Sequence, residues 1–254
     1  MTTLNDLFSW NQRINSLAMN YLVAQGWFNN KPADAEGYTP WFTYPAVSFM
    51  KDIIHKDMKV FEFGSGYSTL YFNENAGEVF SVEHSQEWAT NLLELNPAID
   101  IVVCEEGGIP LPLGVDYLEG FVLEQFELPV SSDRNHNIEH GLLNLEFFQY
   151  ASQLTRRERG YYDVVVIDGM ARSLCGYIAA DLVAEDGYIV LDNSDRWQYN
   201  ALQKFLLRQG FGRIDFWGPG PVNAHGWCTS VFSKNFKVTN QRVERPRTGG
   251  DLGW

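Results

Sequence analysis

Two glycines and two glutamates near residue 60 have a spacing that suits a ligand-binding loop. Gly64 and Gly66 follow an apolar stretch whose only charged residue is Glu62, and Glu83 ends the next apolar stretch, 19 residues after Gly64. Glycine lets a backbone turn sharply and approach a ligand closely. A carboxylate at that distance after such a loop is placed to accept hydrogen bonds from both hydroxyls of a ribose.

The same loop lacks the features that bind a pyrophosphate. The dinucleotide pattern G-x-G-x-x-G requires a glycine where this chain has Thr69. The charge of Glu62 would repel a phosphate and attract a cationic amine. These residues predict a ligand with a ribose and an ammonium group but no phosphate, and S-adenosylmethionine fits that description.

Three more oxygen-bearing side chains follow two later apolar runs. Asp168 ends the run "YDVVVID", and Asp192 and Asn193 end the run "GYIVLDN". Because neighbouring parallel strands bring their carboxyl ends together, these side chains are expected to meet beside the cofactor. Two carboxylates and an amide suit Mg²⁺, Mn²⁺ or Ca²⁺, with water and substrate completing the shell. The alternative is that Asp168 and Asp192 cap the helices that follow them.

The elements that would position these residues alternate along the chain. Short apolar runs separated by amphipathic stretches are typical of a parallel sheet covered by helices on both faces. The predicted strands are 59–63, 78–83, 99–105, 162–168, 187–193, 212–218 and 226–234, and the predicted helices are 85–95, 142–155, 171–184 and 196–209. The last two strands are joined by a loop too short for a helical crossover, so this pair is expected to be antiparallel. The sequence predicts an α/β fold with a doubly wound, mostly parallel sheet of seven strands.

Three segments lie outside this alternation. We expect an N-terminal helical and aromatic cap over residues 1–57, with a helix at 4–24, and a polar tail over 235–254. The cap residues Trp41, Thr43 and Tyr44 are candidates for the acceptor pocket, and ordinary core packing is the alternative. The insert 106–141 is acidic: from Glu105 to Glu139 there are eight acids and one base. It is either a solvated loop or a lid that repels anions.

The motifs "FEFGSGYST" (61–69) and "VFSVEH" (79–84) resemble the first two signatures of class I S-adenosylmethionine-dependent methyltransferases. The likeness covers roughly residues 58–234, including the terminal antiparallel hairpin, and this range is taken as the cofactor-binding domain. It implies these cofactor-binding residues: Glu62, Gly64, Ser65, Gly66, Thr69, Glu83, His84 and Asp168. By this likeness Glu62 and the two glycines line the methionine end, Glu83 binds the ribose, and His84 lies against the adenine.

The set Asp168, Asp192 and Asn193 is also similar to the divalent-metal site of the catechol and caffeoyl-CoA type O-methyltransferases. Those enzymes carry a lysine where this chain has Ala171, with Arg172 next, and their glycine loop is longer. The resemblance implies methyl transfer, most simply to an oxygen, on a small molecule or a saccharide. The catalytic candidates are Asp168, Arg172 and His225.

Two functions of other classes stay open. The stretch "HNIEH" reads H-x-x-E-H, a zinc-hydrolase signature that would use His136, Glu139 and His140. A catalytically silent cofactor-binding module is the second alternative.

The composition bears on partners and location. The formal net charge of −13 speaks against a nucleic-acid backbone as the main partner. With no signal peptide, no apolar run of about 20 residues and three scattered cysteines, the expectation is a cytoplasmic protein without a membrane partner. The aromatic N-terminal segment could cover its own site or that of a second copy in a homodimer.

Overall fold

Seven strands form the central sheet of the chain, seen here in a computed structural model that describes residues 33–34, 37–107, 144–222 and 226–237. The strands are β1 (Lys59–Phe63), β2 (Glu78–Glu83), β3 (Ile101–Val103), β4 (Tyr162–Ile167), β5 (Val183–Leu191), β6 (Gly212–Gly218) and β7 (Trp227–Ser233). The helices are α1 (Tyr44–Ile53), α2 (Tyr67–Asn75), α3 (Gln86–Leu95), α4 (Phe148–Ser152), α5 (Arg172–Leu182) and α6 (Asn200–Arg208). A two-residue antiparallel ladder joins Ala33–Asp34 to Gly37–Tyr38.

The strand order is β3-β2-β1-β4-β5-β7-β6. Strands β1 to β5 are parallel, and β7 lies antiparallel between β5 and β6. The predicted fold class, a mostly parallel seven-stranded sheet with a terminal antiparallel hairpin, is therefore confirmed. The order reverses between β1 and β4, and ligands of open α/β sheets bind beyond the carboxyl ends of the strands at such a switch point.

Side chains of β1 alternate between two cores, one on each face of the sheet. Phe61 and Phe63 pack on one face in the core that also contains residues of α4, α5 and α6. Val60 packs on the other face with residues of α1 and α2, including the fully buried Met50. Glu62 must share the face of Val60, because successive side chains of a strand point to opposite sides.

The strand boundaries agree closely with the sequence at three places and differ at others. Strands β1, β2 and β6 have the predicted bounds, whereas β3 is shorter because it pairs only with Ser81–Glu83 of β2. Strand β5 begins four residues earlier than predicted. The expected helix 171–184 begins only at Arg172, because Ala171 has a left-handed backbone with φ of 47°.

Helices α1 and α2 were not predicted. In α2, the consecutive residues Leu70, Tyr71 and Phe72 are all buried, so no single apolar stripe marks the helix in the sequence. In the described part of the expected helix 142–155, α4 lies between two short 3₁₀ turns, Leu145–Phe147 and Gln153–Arg156. In the described ranges, no helix has the length and apolar character that crossing a bilayer requires.

Several predicted features fall outside the described residues. These are the N-terminal helix at 4–24, most of the insert 106–141 and the tail from residue 238 onward.

Thr43 fastens the start of α1 to the terminal hairpin. Its side chain is fully buried, and its Oγ1 donates to the Phe216 carbonyl of β6 at 3.0 Å. The Thr43 amide donates to Oγ1 of Thr229 on β7 at 3.2 Å. Thr43 therefore belongs to the interface between cap and sheet, as the core-packing alternative expects.

We expect Thr43→Val to lower the free energy of unfolding by about 1–2 kcal/mol, because the Phe216 carbonyl loses its buried donor. Thr43→Ser keeps the hydroxyl and serves as the matched control, so it should lose less. Urea unfolding of the three proteins gives the comparison. A valine variant as stable as the serine variant would show that this hydrogen bond does not hold the cap.

Candidate functional site

A cavity of about 370 Å³ opens at the switch point of the sheet, within the size range of small-ligand sites. It is lined by Trp41, Gly64, Ser65, Gly66, Tyr67, Ser68, Glu83, His84, Ser85, Trp88, Asp168 and Gly169. Of the described residues that line it, two are carboxylates and none is a lysine or an arginine. The cavity wall therefore offers acidic groups and no lysine or arginine, which favours a cationic ligand over an anionic one.

Glycine is required where the ends of β1 and β4 approach each other. Gly64 has φ of 90°, and a Cβ added to it would lie 2.6 Å from backbone atoms of Gly169. A Cβ on Gly169 would in turn lie 2.8 Å from the backbone of Gly64. This contact brings the glycine loop beside Asp168. Gly64 was predicted, whereas Gly169 was not, because the sequence does not show which strand ends touch.

Glu83 joins the end of β2 to the glycine loop. Its Oε2 accepts from the amide of Ser65 at 3.0 Å and from the Ser65 hydroxyl at 3.2 Å. Its Oε1 accepts from the amides of His84 and Ser85, both at 2.8 Å, and lies 2.7 Å from Nδ1 of His84. The carboxylate is only 3% exposed but lines the cavity. A ribose hydroxyl would reach Glu83 by replacing one of its side-chain donors.

Glu62 lies behind the cavity and is absent from its lining residues. The carboxylate is fully buried and accepts from three hydroxyls: Ser68 at 2.5 Å, Thr69 at 2.5 Å and Ser81 at 2.8 Å. The Thr69 hydroxyl also accepts from the amide of Gly66 at 2.8 Å. Glu62 and Thr69 thus shape the glycine loop from beneath. Burial raises the pKa of Glu62 to about 7, although its three hydroxyl donors act to lower it.

Arg172 lies among the three predicted metal ligands. Its Nη2 is 3.0 Å from Oδ1 of Asp168, and its Nη1 donates to Oδ1 of Asn193 at 3.0 Å. It also donates to three backbone carbonyls: Asp168 at 2.9 Å, Gly169 at 3.0 Å and Asp192 at 2.7 Å. Four hydrogen bonds and one ion pair thus hold the guanidinium in place. We call Arg172 and these acceptors the guanidinium clamp.

The carboxylate of Asp192, the remaining predicted metal ligand, has other partners. Oδ1 of Asp192 accepts from the indole of Trp227 at 2.9 Å and from the Thr229 hydroxyl at 2.5 Å. In the part of the chain that is described, no cluster of three or more His, Cys, Asp or Glu could hold a metal ion. Asp168 and Asn193 meet at Arg172, whereas the carboxylate of Asp192 turns toward β7, so the three side chains do not converge on one point and do not fit a divalent cation. Asp168 caps no helix either, since the N-cap of α5 is Ala171.

The charged groups of the clamp affect one another's pKa values. Burial raises the pKa of Asp168 to about 8, with Asp192 adding to the rise and Arg172 opposing it. Burial also raises the pKa of Asp192 above its ordinary value. Burial acts to lower the pKa of Arg172, but Tyr199, Asp168 and Asp192 raise it above its ordinary value. The guanidinium therefore stays charged, and it limits the cost of two neighbouring acids.

Three aromatic side chains border the cavity on the side of α2 and α3. The ring of Trp41 lies 4.8 Å from that of Tyr67 and 6.1 Å from that of Trp88. The indole of Trp88 donates to the Ser65 carbonyl at 2.7 Å, whereas Nε1 of Trp41 is buried with no partner among the described residues. Trp41 was a predicted pocket residue. Tyr67 and Trp88 were not, although their signals are legible: Tyr67 follows Gly66 directly, and Trp88 lies in the first turn after the α3 cap.

Four candidate residues fall outside the described ranges. They are the catalytic candidate His225 and the zinc-hydrolase residues His136, Glu139 and His140.

No family model matches the sequence, and no curated protein does. Solved structures with a similar fold include a methyltransferase-like protein from Silicibacter pomeroyi, at 20% identity over 77% of this chain and 88% of that one, with a TM-score of 0.43. Another is a TehB-like SAM-dependent methyltransferase from Corynebacterium glutamicum, at 12% identity over 89% and 97% of the chains, with a TM-score of 0.41. A third is the Burkholderia thailandensis 1,6-didemethyltoxoflavin-N1-methyltransferase, at 14% identity over 76% and 78%, with a TM-score of 0.41.

Glu62→Gln should change how stability depends on pH. Because the pKa of Glu62 is raised from 4.5 to about 7 by folding, the folded wild type gives up stability as the pH rises through that window. The glutamine cannot ionise, so the difference in free energy of unfolding should move in favour of the variant by roughly 2–3 kcal/mol between pH 5 and 8. Urea unfolding at several pH values measures it. Glu94→Gln on the exposed face of α3 is the control, and a pH-independent difference for Glu62→Gln would contradict the raised pKa.

Proposed function

We propose that this protein transfers a methyl group from S-adenosylmethionine to a small-molecule or saccharide acceptor. The observation that carries the proposal is the cavity at the switch point, where the Gly64–Gly66 loop faces the carboxylate of Glu83. That pairing offers close backbone approach to one part of a ligand and a ribose acceptor for another.

Electrostatics favour this cofactor over a dinucleotide. Glu83 and Asp168 give the cavity its charge, with no lysine or arginine among its described lining residues. A pyrophosphate would meet an acidic wall without a lysine or an arginine to bind it, whereas the sulfonium and ammonium groups of S-adenosylmethionine would be attracted by that wall. Glu62 contributes from beneath the loop, through Thr69 and Gly66, and so sets the loop shape more directly than it touches a ligand.

In the proposed arrangement the ribose lies on Glu83 and the adenine beside His84. The methionine part then runs along the glycine loop toward Asp168, which lines the cavity with a side chain that is 23% exposed. Bound S-adenosylmethionine supplies an activated methyl group, so most of the acceleration depends on holding the acceptor in line with it. Asp168 is the candidate proton acceptor: Arg172 holds its Oδ1, and Oδ2 has no hydrogen bond to any described residue.

The acceptor is expected to lie near Asp168. Trp41, which the cap contributes, gives the cavity an aromatic border suited to the flat or apolar side of a small molecule. The sequence favoured an oxygen acceptor because of the expected metal triad. Since those oxygens do not fit a metal, that reason no longer holds, and the acceptor atom has to be identified by experiment.

Titration calorimetry with S-adenosylhomocysteine tests the cofactor. We expect micromolar binding by the wild type and a loss of about 10–100-fold in Glu83→Ala, because hydrogen bonds to a charged acceptor are lost. Glu83→Gln keeps one acceptor oxygen and should lose less. Glu87→Ala, at an exposed position of α3, is the control for a removed carboxylate, and NAD is the control ligand. Failure of the well-folded wild type to bind S-adenosylhomocysteine would refute the proposal.

Catalysis is tested separately from binding. A metabolite extract incubated with the protein and methyl-labelled S-adenosylmethionine should yield a labelled product, and Asp168→Asn should form it more slowly while still binding S-adenosylhomocysteine. Binding without any labelled product would support the silent-module alternative. Stoichiometric zinc in the purified protein, together with no cofactor binding, would support the hydrolase alternative.

A further inference from the structure

The guanidinium clamp occupies the place where the resemblance to the metal-dependent O-methyltransferases puts a divalent cation. Mg²⁺, Mn²⁺ and Ca²⁺ require several oxygens that converge on one point. Here the convergent oxygens of Asp168 and Asn193 each lie 3.0 Å from a guanidinium nitrogen. Both strand tips are therefore already bound to a cation that belongs to the chain.

The backbone on both sides of the clamp is shaped to place this side chain. Ala171 and Asn193 have left-handed backbones, with φ of 47° and 49°, and no other described non-glycine residue has a positive φ. Ala171 stands where the metal-dependent enzymes carry a lysine, and its turn starts α5 at Arg172. An alanine adopts this conformation only at a cost, so the surrounding contacts must hold it there.

The carboxylate of Asp192, the remaining predicted ligand, does not point at this position. Asp192 presents Oδ1 to Trp227 and Thr229 on β7, and its contact with Arg172 is made by its backbone carbonyl. A divalent cation brought to this point would meet a buried positive charge. It would also have to break the ion pair of Asp168 with Arg172 and displace the hydrogen bonds of Asp192 and Asn193.

We propose that Arg172 replaces the divalent cation at this site, so that the cluster of Asp168, Asp192 and Asn193 binds no metal. Arg172 is then a positioning residue: it fixes the ends of β4 and β5 and holds Asp168 beside the cavity. This inference rests on the proposed function for its consequence, which is methyl transfer that needs no divalent cation.

A Mn²⁺ titration followed by electron paramagnetic resonance tests the proposal without requiring turnover. Wild type, Asp168→Asn and Asp192→Asn should bind Mn²⁺ equally, because any Mn²⁺ they bind lies elsewhere on this acidic chain. A chelator should leave the melting temperature of the wild type unchanged. A Mn²⁺ site in the wild type that both variants lose would overturn the proposal.

A second variant separates replacement of a cation from simple structural support. Arg172→Met removes every donor but keeps a long side chain, so a folded Arg172→Met protein should gain a Mn²⁺ site that the double variant with Asp168→Asn lacks. Arg172→Lys keeps the charge and should gain none. A folded Arg172→Met variant that gains no Mn²⁺ site counts against the proposal. If Arg172→Met does not fold, the Mn²⁺ titration of the wild type decides.

Binding of S-adenosylhomocysteine is measured on the same wild-type sample, so failure of the cofactor proposal is seen separately.

Discussion

The contacts of one guanidinium join the ends of two central strands beside the candidate site. Backbone hydrogen bonds join the strand ends only as far as the amides of Asp168 and Asp192, so the chain that follows β4 and β5 needs another connection. Arg172 supplies it by donating to the carbonyls of Asp168, Gly169 and Asp192. The same side chain pairs with the carboxylate of Asp168, which would otherwise be a costly charge in this half-enclosed place. Arg172 thus links the ends of β4 and β5 and partners the acidic side chain of Asp168 at the edge of the cavity.

A second carboxylate supports the cavity in a different way. Glu62 has no cationic partner among its hydrogen-bond donors and is instead enclosed by hydroxyls from α2 and β2. Hydroxyl donors can stabilise either protonation state, because each rotates to donate or to accept. This explains how Glu62 can remain fully buried beneath the loop with a raised pKa. Glu83 and Asp168, the two acids in the cavity wall, instead contact amides or cationic side chains. The three acids near the loop therefore have separate physical roles.

The sequence was sufficient for the sheet but only partly for the site. The strands were legible because a buried parallel strand is a short apolar run between polar residues, and β1, β2 and β6 had the predicted bounds. The glycine loop and Glu83 were found because their spacing along the chain is fixed by one strand–helix–strand unit. The close contact of Gly64 with Gly169 was not predictable in this way, since it joins residues about a hundred positions apart.

The contacts of Arg172 with the expected metal ligands could not be predicted from residue types alone. The side chains of Asp168 and Asn193 both contact Arg172, but oxygens that surround a metal and oxygens that surround a guanidinium cannot be told apart in the sequence. Only the rotation of Asp192 toward β7 and the left-handed turn at Ala171 distinguish the two arrangements. Both depend on long-range packing: the first on the indole of Trp227, and the second on the contacts that hold α5. A basic residue one position beyond an expected metal-site lysine is therefore better regarded as a candidate replacement for the metal than as surface charge.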